Sequence, residues 1–350
     1  MSASGGGKAI LAAFLANLGI ALAKFIAWAL SGSASMLAEA IHSVADSGNQ
    51  LLLMLGGRKA KREADRAHPF GYGRERYVYA FVVSIILFSV GGLFAIYEAI
   101  DKLTHPHELD KTWWWLPLVV LVVAIGLESF SLRTAVKESN LVRDEGQSWV
   151  SFVRRAKAPE LPVVLLEDVG ALTGLTFALL GVGLTIITGN PVFDALGTLM
   201  IGILLVLIAI VLGVETKSLL VGEGATPADH DRIVDAINAG DEIEKIIHMK
   251  TLYLGPDELM VAAKIALNAD KPLREAAVDI DAIEARIREA VPTARVIYIE
   301  PDVYRPSLDP EPSTDVFVLG LTPPRSATLS GAARRSPAAG PWRRLPRPRR

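Results

Sequence analysis

Long apolar stretches dominate the first two-thirds of the chain. An α-helix needs about 20 mostly apolar residues to cross ~30 Å of hydrocarbon, and that length predicts helices over Ala9–Leu30, Ser35–Gly56, Tyr77–Ile100, Trp113–Leu132, Leu161–Ile187 and Val192–Val214. The second stretch breaks the apolar rule, because Glu39, His42, Asp46 and Asn49 lie inside it. Offsets of three, four and three residues put all four on one helical stripe. Beyond residue 214 the pattern changes. Ile233, Val234 and Ile237 mark one face of a helix over Pro227–Ala239, Lys245–Leu254 is rich in β-formers, and Leu259–Leu267 alternates. Helical spacing returns over Ala276–Val291 through Ile280, Ile283 and Ile287, and Arg295–Ile299 predicts a closing strand. The expected fold is therefore an α-helical membrane protein: six transmembrane helices over 1–214, a small α+β domain (αββαβ) over 215–305 and a tail over 306–350.

Charge orients this layout. The connection Arg58–Arg76 has seven basic and three acidic residues, and Arg133–Glu160 has six and four. Ser31–Ala34 and Thr188–Pro191 have no basic residue, so the positive-inside bias places the two basic connections and both termini in the cytoplasm. Trp113, Trp114 and Trp115 fit an aromatic belt at the outer interface. The α+β segment is acidic, with 18 acidic against 11 basic residues over Glu215–Arg305, as expected of a solvated cytoplasmic module. The tail is rich in Pro, Arg, Ser and Gly and is expected to be disordered, with attraction of Arg343 to Arg350 to anionic lipid as the functional alternative to an incidental extension. A net charge of −2 gives no global pull on nucleic acid, and the absence of cysteine excludes disulfides, thiol catalysis and cysteine-bound metal.

An ionisable group at bilayer depth costs at least about 2.5 kcal/mol, so a stripe of three must face a partner or a watery pathway. The fifth apolar stretch has its own acidic pair, Glu167 and Asp168, whose side chains point ~100° apart on a helix. Either one opposite His42 and Asp46 gives an imidazole with two carboxylates, a donor set that suits zinc-like ions over magnesium or calcium. The bland alternative is a hydrogen-bonded seam between helices. Glu128 in the fourth stretch is a further pathway candidate, with helix packing as its ordinary role.

Two segments carry a resemblance. Ala40-Ile41-His42-Ser43-Val44-Ala45-Asp46-Ser47-Gly48-Asn49, followed by His68-Pro69-Phe70-Gly71-Tyr72-Gly73-Arg74-Glu75 and an acidic α+β segment, resembles the cation diffusion facilitator family over residues 8–305. The resemblance implies a homodimeric exporter of zinc or a similar divalent cation in exchange for protons, not an enzyme, with a metallochaperone-like cytoplasmic domain. It also implies that His42 and Asp46 supply two transport ligands and that the fifth span supplies two more, usually His and Asp four residues apart. Here Val164 stands four residues before Asp168, so Asp168 is the expected ligand and Glu167 an auxiliary one, as in the branch similar to mitochondrial and nuclear zinc-transporter-like members. Asp65 and His68 match part of the family's loop site, with Tyr72 where a later histidine belongs; the alternative is a structured turn. His248 matches a histidine after the first strand of the cytoplasmic domain and, with Glu300 or Asp302, would form a regulatory site. His105, His107 and His230 are expected at the surface.

These readings predict a zinc/proton antiporter of the plasma (inner) membrane, partnered by a second copy of itself, the lipid bilayer, a divalent ion and protons, with no nucleic acid. Manganese, iron or cobalt are the alternative ions. A metal sensor that kept the fold is the rival from another class; an intramembrane hydrolase lacks the His-Glu-x-x-His helix.

Overall fold

A computed structural model describes residues 3–105, 112–143 and 146–304, with side chains from residue 17 onward. His107 and the tail over 306–350 lie outside the described residues. Helices α1 (Ala3–Ser31) and α2 (Ala34–Lys59) are joined by a tight turn in which Gly32 takes φ 70°, a left-handed conformation that suits glycine. The Ser33 side chain caps α2 by accepting from the Met36 N–H. Helices α3 (Glu75–Ile86) and α4 (Phe94–Thr104) are welded by a π-helical stretch, Leu87–Leu93, into one rod of 30 residues. Then follow α5 (Trp115–Val142), the short α6 (Trp149–Arg155), α7 (Glu160–Thr188) and α8 (Val192–Val221).

The rods Glu75–Thr104, Trp115–Val142, Glu160–Thr188 and Val192–Val221 are long and apolar enough to cross a membrane. This differs from the six expected spans for identifiable reasons. The apolar part of α1 with described side chains is the shorter run Asn17–Ser31, and α2, with 26 residues, is diluted by its polar stripe. Leu87, Leu121, Val163, Leu175, Ile201, Leu205 and Leu212 belong to one buried core. Small residues let α7 and α8 meet backbone to backbone: a Cβ on Gly181 would stand 2.8 Å from the Phe193 carbonyl oxygen, and one on Gly197 2.8 Å from that of Phe177.

After α8, helix α9 (Pro227–Asn238) starts on the Thr226 hydroxyl, which accepts from the Asp229 N–H. Strands β1 (Lys245–Gly255) and β2 (Glu258–Ala266) pair antiparallel; α10 (Leu273–Ala290) then crosses over so that β3 (Ala294–Asp302) lies parallel to β2 in the order β1-β2-β3. Ile233, Ile237, Val261, Ile265, Ile283 and Ile287 fill the core of this unit. Helix α6 is absent from the sequence-based expectation. Seven residues are too few for a periodic signal, yet Phe152 is buried against Ala135 and Leu165, which fastens the connection to α5 and α7. Arg76, at the start of α3, pairs with Glu160 of α7 and reaches Asp257 in the β1–β2 turn at 2.8 Å.

Candidate metal centre between α2, α5 and α7

Helical spacing puts Glu39, His42, Asp46 and Asn49 on one side of α2, and packing then closes over them. Glu39, His42 and Asn49 are fully buried, while 15% of the Asp46 side chain stays exposed. His42 Nε2 lies 3.4 Å from Asp46 Oδ2. Both His42 ring nitrogens and Asp46 Oδ1 lack hydrogen-bond partners. A buried polar atom left unmatched costs about 1–3 kcal/mol, and these atoms on successive turns of one helix are ones that a bound ion would satisfy.

From α7 the two carboxylates diverge, and they do so in the opposite sense to the expectation. Asn49 Nδ2 donates to Glu167 Oε1 at 2.7 Å, so Glu167 faces the α2 stripe. Asp168 turns toward α5, where the Ser131 hydroxyl donates to its Oδ2 at 3.0 Å. The face is fixed seven residues further along α7: a Cβ on Gly174 would stand 2.8 Å from Glu39 Oε1. Residues 167 and 174 therefore share the side of α7 that packs on α2, and the adjacent residue is carried ~100° away. Asp46 remains within electrostatic range of both carboxylates, and Glu128 on α5 within range of His42 and Asp46. Among the described residues no three His, Asp or Glu side chains close into a ready-made metal cage. What exists is a pair on α2 with open valence and two carboxylates on α7 aimed to either side.

The Asp65–His68 loop is a structured turn. Asp65 Oδ1 accepts from the backbone N–H groups of Ala67 and His68 at 2.9 and 2.8 Å, and Oδ2 from the Tyr72 hydroxyl at 2.7 Å and Arg62 at 3.1 Å. The His68 ring packs on Tyr72, centroids 4.4 Å apart, with Nδ1 3.6 Å from Asp65 Oδ1. The Asp65 carboxylate is thus committed to the turn, and Tyr72 fills the place of a third donor. The Tyr72 hydrogen bond, then that of the His68 amide, holds the Asp65 carboxyl down at about 2. A folded-state value below the ordinary one (~3.9) makes the turn's gain complete above pH ~4 and lost as pH falls through about 2. After correction for intrinsic exchange rates, protection of the Ala67 and His68 amides should fall over that acid range in the native chain. In Asp65→Asn it should be weaker and flat with pH.

In the α+β unit, His248 on β1 lies opposite Lys264 on β2, and Lys264 opposite Glu300 on β3. The Lys264 ammonium sits 3.2 Å from Glu300 Oε1 and 3.1 Å from Asp302 Oδ2. A lysine cation therefore stands between the residues expected to hold a regulatory metal, a feature the sequence-based reading missed; period-2 alternation across the strands was the signal that could have found it. The hydrogen bonds that the ammonium donates to Asp302 and Glu300 raise the Lys264 pKa, which keeps it charged there. His105 is an exposed side chain beside Asp101, and His230 a half-buried one beside Asp231.

Residues 10–221 match the family described as the cation efflux transmembrane domain. The human proton-coupled zinc antiporter SLC30A9, mitochondrial, is 32% identical over 262 residues, which cover 75% of this chain and 46% of that protein. Metal tolerance protein C4 of Arabidopsis thaliana is 28% identical, covering 75% and 57% respectively. The cation-efflux pump FieF of Klebsiella pneumoniae is 25% identical, covering 83% and 90%. The chain thus spans about half the length of the first of these relatives.

Proposed function

Because this chain belongs to the cation diffusion facilitator family, whose members are transporters and not enzymes, we propose that it exports a divalent cation, zinc first among them, in exchange for protons. The observation that carries the reading is the orphaned trio of His42 Nδ1, His42 Nε2 and Asp46 Oδ1, buried within the polar stripe of α2. His42 and Asp46 are the fixed pair of ligands. Glu167, hydrogen-bonded to Asn49, and Asp168, hydrogen-bonded to Ser131, are the carboxylates that would complete the shell, each by exchanging that bond for the ion. A site that must release its ion has reason to be incomplete at rest.

Metal ligands bind deprotonated, so protons and metal compete for the same donors, and low pH on the release side favours unloading. The similarity to a relative named as a proton-coupled zinc antiporter supports the same reading. Oxygen donors outnumber the single imidazole, with Val164 where a second imidazole would sit, and this favours manganese, iron or cobalt as further cargo. Function as a homodimer, six membrane crossings and cytoplasmic termini at the plasma membrane belong to the same proposal, supported by the basic connections Arg58–Arg76 and Arg133–Glu160.

Full-length chain reconstituted in vesicles, loaded with a metal-sensitive dye and offered zinc, manganese, iron and cobalt in turn, tests this. Zinc flux should rise when the release side is more acidic and fall when the loading side is. Flux indifferent to a pH gradient of either sign would discard antiport, and absence of flux for every ion would favour a sensor.

A further inference from the structure

Among the described residues, Lys24 of α1 is the cation that lies beside the α2 stripe, and it is buried to 1% exposure. Its ammonium lies 2.9 Å from Glu39 Oε2 and 2.7 Å from the Ser43 hydroxyl. Glu39 is 0% exposed and sits one helical turn from His42, while Ser43 is the residue after His42. The second oxygen, Glu39 Oε1, has no hydrogen-bond partner and lies against α7 at Gly174, where any Cβ would stand 2.8 Å from it. A carboxylate and a hydroxyl therefore lie buried next to the transport pair, and the lysine ammonium takes Oε2 and the hydroxyl.

We propose that Lys24 is a specificity-determining residue: a tethered cation that occupies the Glu39 and Ser43 oxygens and so restricts the membrane site to a single divalent ion. The inference rests on His42 and Asp46 being the transport pair. With its ammonium on Glu39 Oε2 and the Ser43 hydroxyl, the lysine holds the oxygens that a second ion would need. Glu39 in turn cancels the lysine's charge, so that the first ion at His42 and Asp46 still binds. Besides Glu39, the titratable groups within electrostatic range of the ammonium are His42 and Asp46 of α2 and Glu128 of α5; its hydrogen bonds go to Glu39 and Ser43.

A merely structural tie between α1 and α2 predicts something different, and Glu39→Gln separates the two. The glutamine carbonyl still accepts from Lys24, but the ammonium is left uncompensated. Equilibrium zinc binding to the full chain in detergent, with size-exclusion profiles to confirm folding, should show affinity reduced about tenfold or more in Glu39→Gln. The double variant Lys24→Gln/Glu39→Gln should return it to near the native value. Lys24→Gln alone should bind one more zinc per chain than the native protein. Native affinity in a folded Glu39→Gln chain, or a double variant as impaired as Glu39→Gln, would overturn the proposal. If Lys24→Gln does not fold, the other two variants decide. His42→Ala is the control for the underlying reading: if it binds zinc as the native chain does, the transport site is misplaced, whatever Lys24 does.

Discussion

Replacing His42 or Asp46 by alanine is expected to abolish metal flux while leaving the fold as stable as before, or more so. Loss of groups that only orient metal ligands costs about 10–100-fold in affinity, so loss of a ligand itself should cost more. Stability should not follow activity. Both His42 nitrogens and Asp46 Oδ1 are buried without hydrogen-bond partners, so in the metal-free protein their desolvation is offset only by the 3.4 Å approach of His42 Nε2 to Asp46 Oδ2. Alanine removes that strain at the expense of function. Thermal unfolding in detergent without metal should show an equal or higher midpoint in His42→Ala, whereas added zinc should raise the midpoint of the native chain only. A native flux in either variant would exclude this pair, and a steep loss of metal-free stability would show a structural seam instead.

The largest loss of stability is expected at a residue with no part in binding metal. Asp194, in the first turn of α8, is completely buried. Its Oδ1 accepts from the Ser33 hydroxyl at 2.9 Å, the Ser35 N–H at 3.3 Å and the Ser35 hydroxyl, and its Oδ2 from the Ala34 N–H at 2.7 Å. One carboxylate thus closes the N-terminus of α2, where free amides and the helix dipole both favour a negative charge. Asp194→Ala leaves several buried donors unmatched at about 1–3 kcal/mol each; because they share one acceptor and relax together, a loss of about 3–5 kcal/mol is expected. Chemical denaturation in micelles measures it. Asp194→Asn, which keeps the acceptor oxygen, should lose markedly less.

The legible part of this molecule was periodic. Apolar runs and the switch to alternation after residue 214 announced long helices and a small sheet, and offsets of three and four announced the α2 stripe. What stayed hidden depends on which way neighbours turn. Nothing in Glu167-Asp168 says which carboxylate faces α2, because the choice is set by Gly174 seating Glu39 and by Ser131 reaching from another helix. Asp194 carries no signal in its own segment, since its four donors come from 159 to 161 residues away. Lys24 sat unnoticed in an apolar run because its partners lie across a helix hairpin. Spacing within one helix is a local property, whereas a long-range partner becomes visible only once packing is known.

The π-helical stretch Leu87–Leu93 sets the phase between the two ends of one rod. In such a stretch the N–H of residue 94 reaches the carbonyl of residue 89, so the wider turns carry more residues than an α-helix would over the same rise. Upstream of it, Arg76 grips Glu160 and Asp257; downstream, Lys102 donates to the Gly32 carbonyl at 2.7 Å in the turn between α1 and α2. Excising one residue from the stretch would rotate everything beyond it by ~100° and swing Lys102 away from that turn while Arg76 kept its grip. The surplus residue thus works as an indexing notch, letting a single rod engage the α+β unit at one end and the α1–α2 turn at the other.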